Sequence, residues 1–335
     1  MFIAKFIIGI IIHLITNLIS LKFKILLDDP KYLEHKKMIN KKTDVVLSGG
    51  SVFVLLFLIF TNINYDLKLF ILFIFFIGLI SDLKILDVPS LRFFLQFLIV
   101  AIFTYLLNLS VSFTNLKYLD LILEFKFLSI FFTIICFLVL INGSNFLDGL
   151  NSLVIFYYIL VLLSFVLLVN NYNLDYDLSL IFNIILILFV LAVFNLLNKS
   201  FLGDSGAYSV AGIIGYIAID FFQTIGNFSV LFIVTVLWYP AFETLFSVIR
   251  KFILKSNPIN PDNQHFHHCL FNFINSKIKK SYNANLFTAV LINLYNLFVF
   301  FLATLSYKSS ILLSTILFVN IIVYIALYLR LNNER

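Results

Sequence analysis

Only five histidines occur in this chain, and three of them, His265, His267 and His268, fall within four positions. They stand in "PDNQHFHHC", where Asp262 precedes His265 by about one helical turn and His265 and His268 share a face if the segment is helical. Imidazoles in this pattern could hold a metal or bind phosphate oxygens. No HExxH and no cysteine pair accompanies them, so a zinc site is weakly supported. A solvated polar loop is the alternative, and so dense a cluster makes it unattractive.

Four other polar clusters could do chemistry. In "NGSNFLDGLNSL", Asn142, Asn145 and Asp148 are spaced three apart, so a helix sets two amides and a carboxylate on one broad face. Such a face could bind a polar ligand or a metal, or simply cap the following helix. In "NKSFLGDSGAYSVAG", Gly203, Ser205 and Gly206 surround Asp204 with small residues ahead of a helix whose first amides could meet a phosphate. An N-cap aspartate explains Asp204 equally well. In "GLISDLKILDVPSLRFF", Asp82 closes an apolar run with Lys84 and Arg92 nearby, and taken alone reads as an interfacial carboxylate beside snorkelling basic residues. "DDPKYLEHKK…LSGG" carries Asp28, Asp29, His35 and Lys37 before Gly49 and Gly50, and alone fits a basic loop meeting anionic lipid.

The elements that must position these residues are membrane helices. The chain is 62% hydrophobic and 12% charged, with a mean hydropathy of +1.06, far from the soluble range. Apolar runs long enough to span a bilayer recur throughout, so an all-α polytopic membrane protein is expected. Eleven spans are read at 3–26, 49–62, 68–80, 91–110, 127–142, 150–169, 178–196, 207–222, 228–249, 284–306 and 310–329. The first is read as a membrane helix rather than a removed leader, because no small-residue cleavage site follows it. Cys136 and Cys269 suggest no disulfide framework. The basic balance is explained by loops on one membrane side, without nucleic acid.

Of the 23 Lys and Arg residues, all but Lys5, Lys68, Lys117, Lys126 and Lys308 fall on one of the two alternating sets of connections. The positive-inside rule makes that set cytoplasmic, with the N-terminus outside and the C-terminus inside. Every cluster described above lies in it. One membrane domain over 1–335 is expected, with loops 27–48, 81–90, 142–149, 197–206 and 250–283 forming its active face.

Taken together and in order, "DDP…H…GG", "GLISDLK", "NGSNFLDGLNSL", "FLGDSG" and "PDNQHFHH" resemble the polyprenyl-phosphate N-acetylhexosamine-1-phosphate transferase superfamily, glycosyltransferase family 4. The last block is nearer the O-antigen and enterobacterial common antigen initiators than the peptidoglycan enzyme. The resemblance implies transfer of a sugar 1-phosphate from a UDP-N-acetyl-sugar to polyprenyl (undecaprenyl) phosphate, with release of UMP, at the cytoplasmic face of a bacterial inner membrane. It implies Asp82, Asp148 and Asp204 as catalytic carboxylates, with Asp204 the ligand of Mg2+ or Mn2+. Asn142, Asn145, Asn195, His265, His267 and His268 would bind the nucleotide-sugar, and Lys37 and Arg92 the phosphates. A homodimer is compatible with it.

Three departures stand out. Ser81-Asp82 replaces the family's Asp-Asp pair, Asn151-Ser152 replaces its second Asp-Gly, and His35 sits about one residue nearer the proline than usual. They leave room for a catalytically inactive relative acting as a scaffold. A transporter or flippase is the alternative from another class; it would place ionisable residues near the bilayer midplane, whereas these carboxylates fall at span ends.

Overall fold

The computed structural model describes residues 2–27, 45–114, 116–226, 228–255, 264–278 and 281–333. Among the described residues there are fourteen helices and no strand. They run α1 (Phe2–Phe23), α2 (Gly49–Phe60), α3 (Tyr65–Asp82), α4 (Pro89–Leu106), α5 (Lys117–Leu123), α6 (Lys126–Leu147) and α7 (Leu153–Tyr172). Then follow α8 (Ser179–Leu196), α9 (Gly203–Ile225), α10 (Leu231–Val236), α11 (Trp238–Ile253), α12 (Phe266–Ile278), α13 (Ser281–Leu305) and α14 (Ser310–Asn333).

Eight of these, α1, α4, α6, α7, α8, α9, α13 and α14, are long and apolar enough to cross a membrane. The protein is an all-α polytopic membrane protein. The other three expected spans take different forms. The α2 helix has 12 residues, about 18 Å at 1.5 Å per residue, short of a hydrocarbon core of about 30 Å. The α3 helix carries Asp66, Lys68 and Asp82 within its 18 residues. The ninth expected span is broken in two.

That break has a local cause. Pro240 has no N–H to give to the carbonyl four residues back, and its ring would collide with it. The carbonyl in question, that of Val236, instead accepts the Tyr157 hydroxyl from α7 at 2.8 Å. The same hydroxyl accepts the Tyr239 N–H at 3.4 Å. A buried tyrosine thus replaces the missing ladder bond, and α11 leaves the break on its own course against α6.

The centre of the bundle is α9, 89% buried over its spanning window, whereas α1 and α14 are each 17% buried and turn apolar residues outward. Small residues on α9 allow this. At Gly78 on α3 a Cβ would strike the backbone of Ser205, so α3 and α9 cross with their main chains nearly touching. The entry to α2 is stitched to the entry to α9: Gly49 and Gly50 donate their N–H groups to the carbonyls of Phe201 and Leu202 at 3.0 and 3.1 Å, and Phe201 donates back to Val46 at 2.8 Å.

Two helices lie where only connections were expected. The α12 helix occupies part of the 250–283 loop, because Phe266, Cys269, Phe271 and Ile274 recur at helical spacing and are buried. The short α5 packs beside α6. The segment 142–149, also read as a loop, is mostly the last turns of α6.

Tyr157→Phe removes the donor to Val236 while leaving the packing intact. It should destabilise the protein by about 1–3 kcal/mol, the cost of a buried unpaired carbonyl. Thermal unfolding of the two proteins in one detergent checks this; an unchanged midpoint would contradict the role given to Tyr157.

Candidate functional site

Leu202, at the N-cap of α9, has no side chain able to cap, and α9 therefore borrows one. Asp82, the last residue of α3, accepts the Asp204 N–H at 2.9 Å, the Ser205 N–H at 3.0 Å and the Ser205 hydroxyl at 2.6 Å. One carboxylate thereby satisfies orphan donors of the first turn and meets the positive end of the helix dipole. Gly203 makes the approach possible. It sits at φ +72°, and a Cβ there would lie 2.7 Å from Asp82 Oδ2. Withdrawal from water first, and the Asp204 carboxylate second, push the Asp82 carboxyl above the ordinary carboxylate range.

Held by this cap, Asp204 turns its carboxylate the other way. Its Oδ2 accepts Arg92 Nη1 at 2.8 Å and the Ser81 hydroxyl at 2.7 Å, and Arg92 also donates to Ser81 Oγ at 2.6 Å. The Asp204 side chain remains 26% exposed, so a ligand can reach it. Gln96 lies one turn beyond Arg92 on α4, and its Oε1 accepts Asn142 Nδ2 at 3.0 Å. The α4 helix thus ties the Asp204 cluster to the last turns of α6, where Asn142, Asn145 and Asp148 follow at three-residue spacing, all part-buried.

The α6 end in turn meets the histidines. A Cβ on Gly149 would lie 2.9 Å from His267 Nε2 and 3.0 Å from His268 Cε1. Phe146 stacks on His265 with ring centroids 4.7 Å apart, and the His265 and His267 rings are nearly parallel at 5.7 Å. All three histidines are buried, which removes the solvated-loop alternative. On its outer side His265 Nδ1 lies 2.9 Å from Glu243 Oε1. Arg250, in the last turn of α11, donates to the Gln264 carbonyl at 3.1 Å and to its Oε1 at 2.8 Å, fastening the chain just before the cluster.

Comparison with known proteins bears on residues inside this frame. The model of glycosyl transferase family 4 matches residues 66–222, which contain the Ser81-Asp82, Asn142–Asp148 and Gly203–Gly206 blocks. Residues 66–222 are thus similar to glycosyl transferase family 4. A 70-residue stretch is 34% identical to the undecaprenyl-phosphate alpha-N-acetylglucosaminyl 1-phosphate transferase of Thermotoga maritima. That stretch is 21% of this chain and 23% of the relative, so the chain aligns with under a quarter of that protein. Both matches support the resemblance to the polyprenyl-phosphate hexosamine-1-phosphate transferase superfamily. The histidine block lies beyond the matched family 4 segment, and Gly149 is where the fold joins it to that segment.

Other residues read from the sequence stand as follows. Asn195 is buried in the layer beneath: its Oδ1 accepts the Ser152 N–H at 2.7 Å and the Ser152 hydroxyl at 3.0 Å. Asn151 donates its amide to Asn198 and to the Asn195 carbonyl, so Asn151-Ser152 and Asn195 together brace the turn that follows Gly149. Asn195, expected at the nucleotide site, thus also braces this turn. Arg92, expected on the phosphates, is paired with Asp204. Lys37, with Asp28, Asp29, His35 and Asp262, lies outside the described residues. Among the described residues no group of three or more His, Cys, Asp or Glu could hold a metal by itself.

Glu243, Gln96 and Arg250 were not singled out from sequence. A signal existed for Glu243, since a carboxylate inside an apolar run calls for a partner.

Gly203→Ala and Gly226→Ala isolate the Asp82 contact. Both glycines have positive φ, +72° and +63°, but a Cβ at 226 meets nothing within 4 Å. Each should lose about 1–2 kcal/mol to backbone strain, and Gly203→Ala should lose more because its methyl presses on the Asp82 carboxylate. Equal melting temperatures for the two variants would contradict the close approach.

Proposed function

We propose that this protein transfers an N-acetylhexosamine 1-phosphate from a UDP-sugar to polyprenyl phosphate. The observation carrying this reading is the continuous rim of polar groups at one end of the bundle. It passes from Asp204 and Arg92 through Gln96 and Asn142 to Gly149 and the histidines. In this reaction an oxygen of the lipid phosphate attacks the sugar-bearing β-phosphorus of the UDP-sugar. A new P–O bond forms, the bond to the bridging oxygen breaks, and UMP leaves with that oxygen. A phosphate monoester's second pKa is about 6, so the attacking group is mostly dianionic at neutral pH and needs orientation and charge screening more than a base.

The residues divide between those tasks. Arg92 supplies positive charge at the Asp204 end, His265, His267 and His268 would meet the pyrophosphate or sugar, and Asn142, Asn145 and Asp148 line the span between. Asp82 acts through Asp204 and α9 as a positioning residue. Asp204, exposed enough to be reached, is the residue that would hold Mg2+ or Mn2+, and a single carboxylate suits a cation whose other ligands are phosphates and water. When bound, the cation would screen the two anions that must meet. We place the reaction at the cytoplasmic face of a bacterial inner membrane, at the start of a surface glycan such as O-antigen. A transporter is not favoured, because Asp82, Asp148 and Asp204 stand at helix ends and not at midspan.

The test is purified protein with polyprenyl phosphate, Mg2+ and a panel of UDP-sugars, following UMP and the lipid-linked product. Asp204→Asn should abolish turnover with little change in stability. Asp82→Ala should lose at least about 100-fold, about 2.7 kcal/mol of barrier. Ser81→Ala should retain most activity, because Arg92 still reaches Asp204 directly. An active Asp82→Ala beside a dead Ser81→Ala would overturn these assignments, and no turnover with any sugar would point to an inactive scaffold.

A further inference from the structure

The histidine cluster is supported from behind by residues on two helices outside the matched family 4 segment. Glu243 on α11 is buried, and its carboxylate is bonded on both oxygens. Oε1 faces His265 Nδ1 at 2.9 Å and the Phe266 N–H at 3.3 Å, and Oε2 accepts the Tyr324 hydroxyl from α14 at 2.8 Å. Tyr324 is itself fixed by aromatic neighbours, with the rings of Phe242, Phe246 and Phe266 centred 5.0, 5.2 and 5.0 Å away. An unpaired carboxylate in such surroundings would be costly, so three donors from two further segments mark Glu243 as a built feature of the site.

From this geometry we infer that Glu243 and Tyr324 position His265 for the reaction proposed above, on which the inference rests. Tyr324 orients the Glu243 carboxylate. Glu243, an acceptor when ionised, obliges His265 to carry its proton on Nδ1. This fixes the tautomer of the imidazole. Phe146, stacked on one face of the ring at 4.7 Å, prevents it from turning over. Neither Glu243 nor Tyr324 needs to touch substrate, and both act through His265. The arrangement also ties α14, a peripheral helix, to the chemistry at the end of α6.

Two measurements on the full-length protein separate positioning from general stability. The first is a double-mutant cycle on kcat/KM for the UDP-sugar, read as UMP release. Glu243→Gln preserves shape and should cost about 10-fold or more with His265 present, but under about 2-fold in a His265→Ala background. Tyr324→Phe, which keeps the ring and loses only the hydroxyl, should cost less than Glu243→Gln and likewise vanish without His265. Equal losses in both backgrounds would show a merely structural role, and no loss with His265 present would overturn the inference. The second is the nitrogen NMR spectrum of 15N-histidine protein, which needs no turnover. His265 should show a protonated Nδ1 in the wild type and a mixture of tautomers in Glu243→Ala, with Tyr324→Phe as the reporter if that variant does not fold. An unaltered His265 signal in whichever variant folds would contradict the positioning role. A wild type with the expected tautomer but no UMP release would instead place the failure in the proposed reaction.

Discussion

One carboxylate organises the site without standing at its surface. Asp82 closes α3 and caps α9, and both jobs fall to the same two oxygens. A helix that begins at a leucine and a glycine has no cap of its own, and its first amides, packed against α3, need a partner from elsewhere. The cap from α3 resolves this and leaves Asp204 facing Arg92 with part of its carboxylate open. Gly203 and Gly78 are consequences of the same constraint, because either side chain enlarged would push α3 off α9.

Charge at the site follows from that arrangement. Two carboxylates lie near each other with one guanidinium, and Ser81, which stands where the resembled family has an acid, bridges Arg92 and Asp204. A serine there leaves less negative charge around Asp204 than a second carboxylate would. At the other end of the rim the histidines are buried between α6, α11 and α12 and held by Glu243. The break at Pro240 sets the course of α11 and so the place of Glu243. A tyrosine on α7, far from the histidines in sequence, thus helps to place them.

The membrane class and the positions of most helices were legible because apolar length alone encodes them. The α12 helix was less so, since its polar residues masked the period of Phe266, Phe271 and Ile274. Spacing correctly set Asn142, Asn145 and Asp148 along one helix end. What spacing could not give was pairing across the bundle. Asp82 looked like an interfacial acid because its partners are 122 and 123 positions away. The family resemblance marked Asn195 as a nucleotide-site position, and its bonds to Ser152, 43 positions away, could not be read from spacing. Glu243 was hidden inside a run read simply as apolar.

Hydrogen–deuterium exchange of the Asp82→Ala protein, compared with the unaltered chain, tests the capping role most directly. The account predicts faster exchange in peptides covering 200–210, where the Asp204 and Ser205 amides lose their acceptor, with α6 and α7 unchanged. Unchanged protection across 200–210 would contradict it.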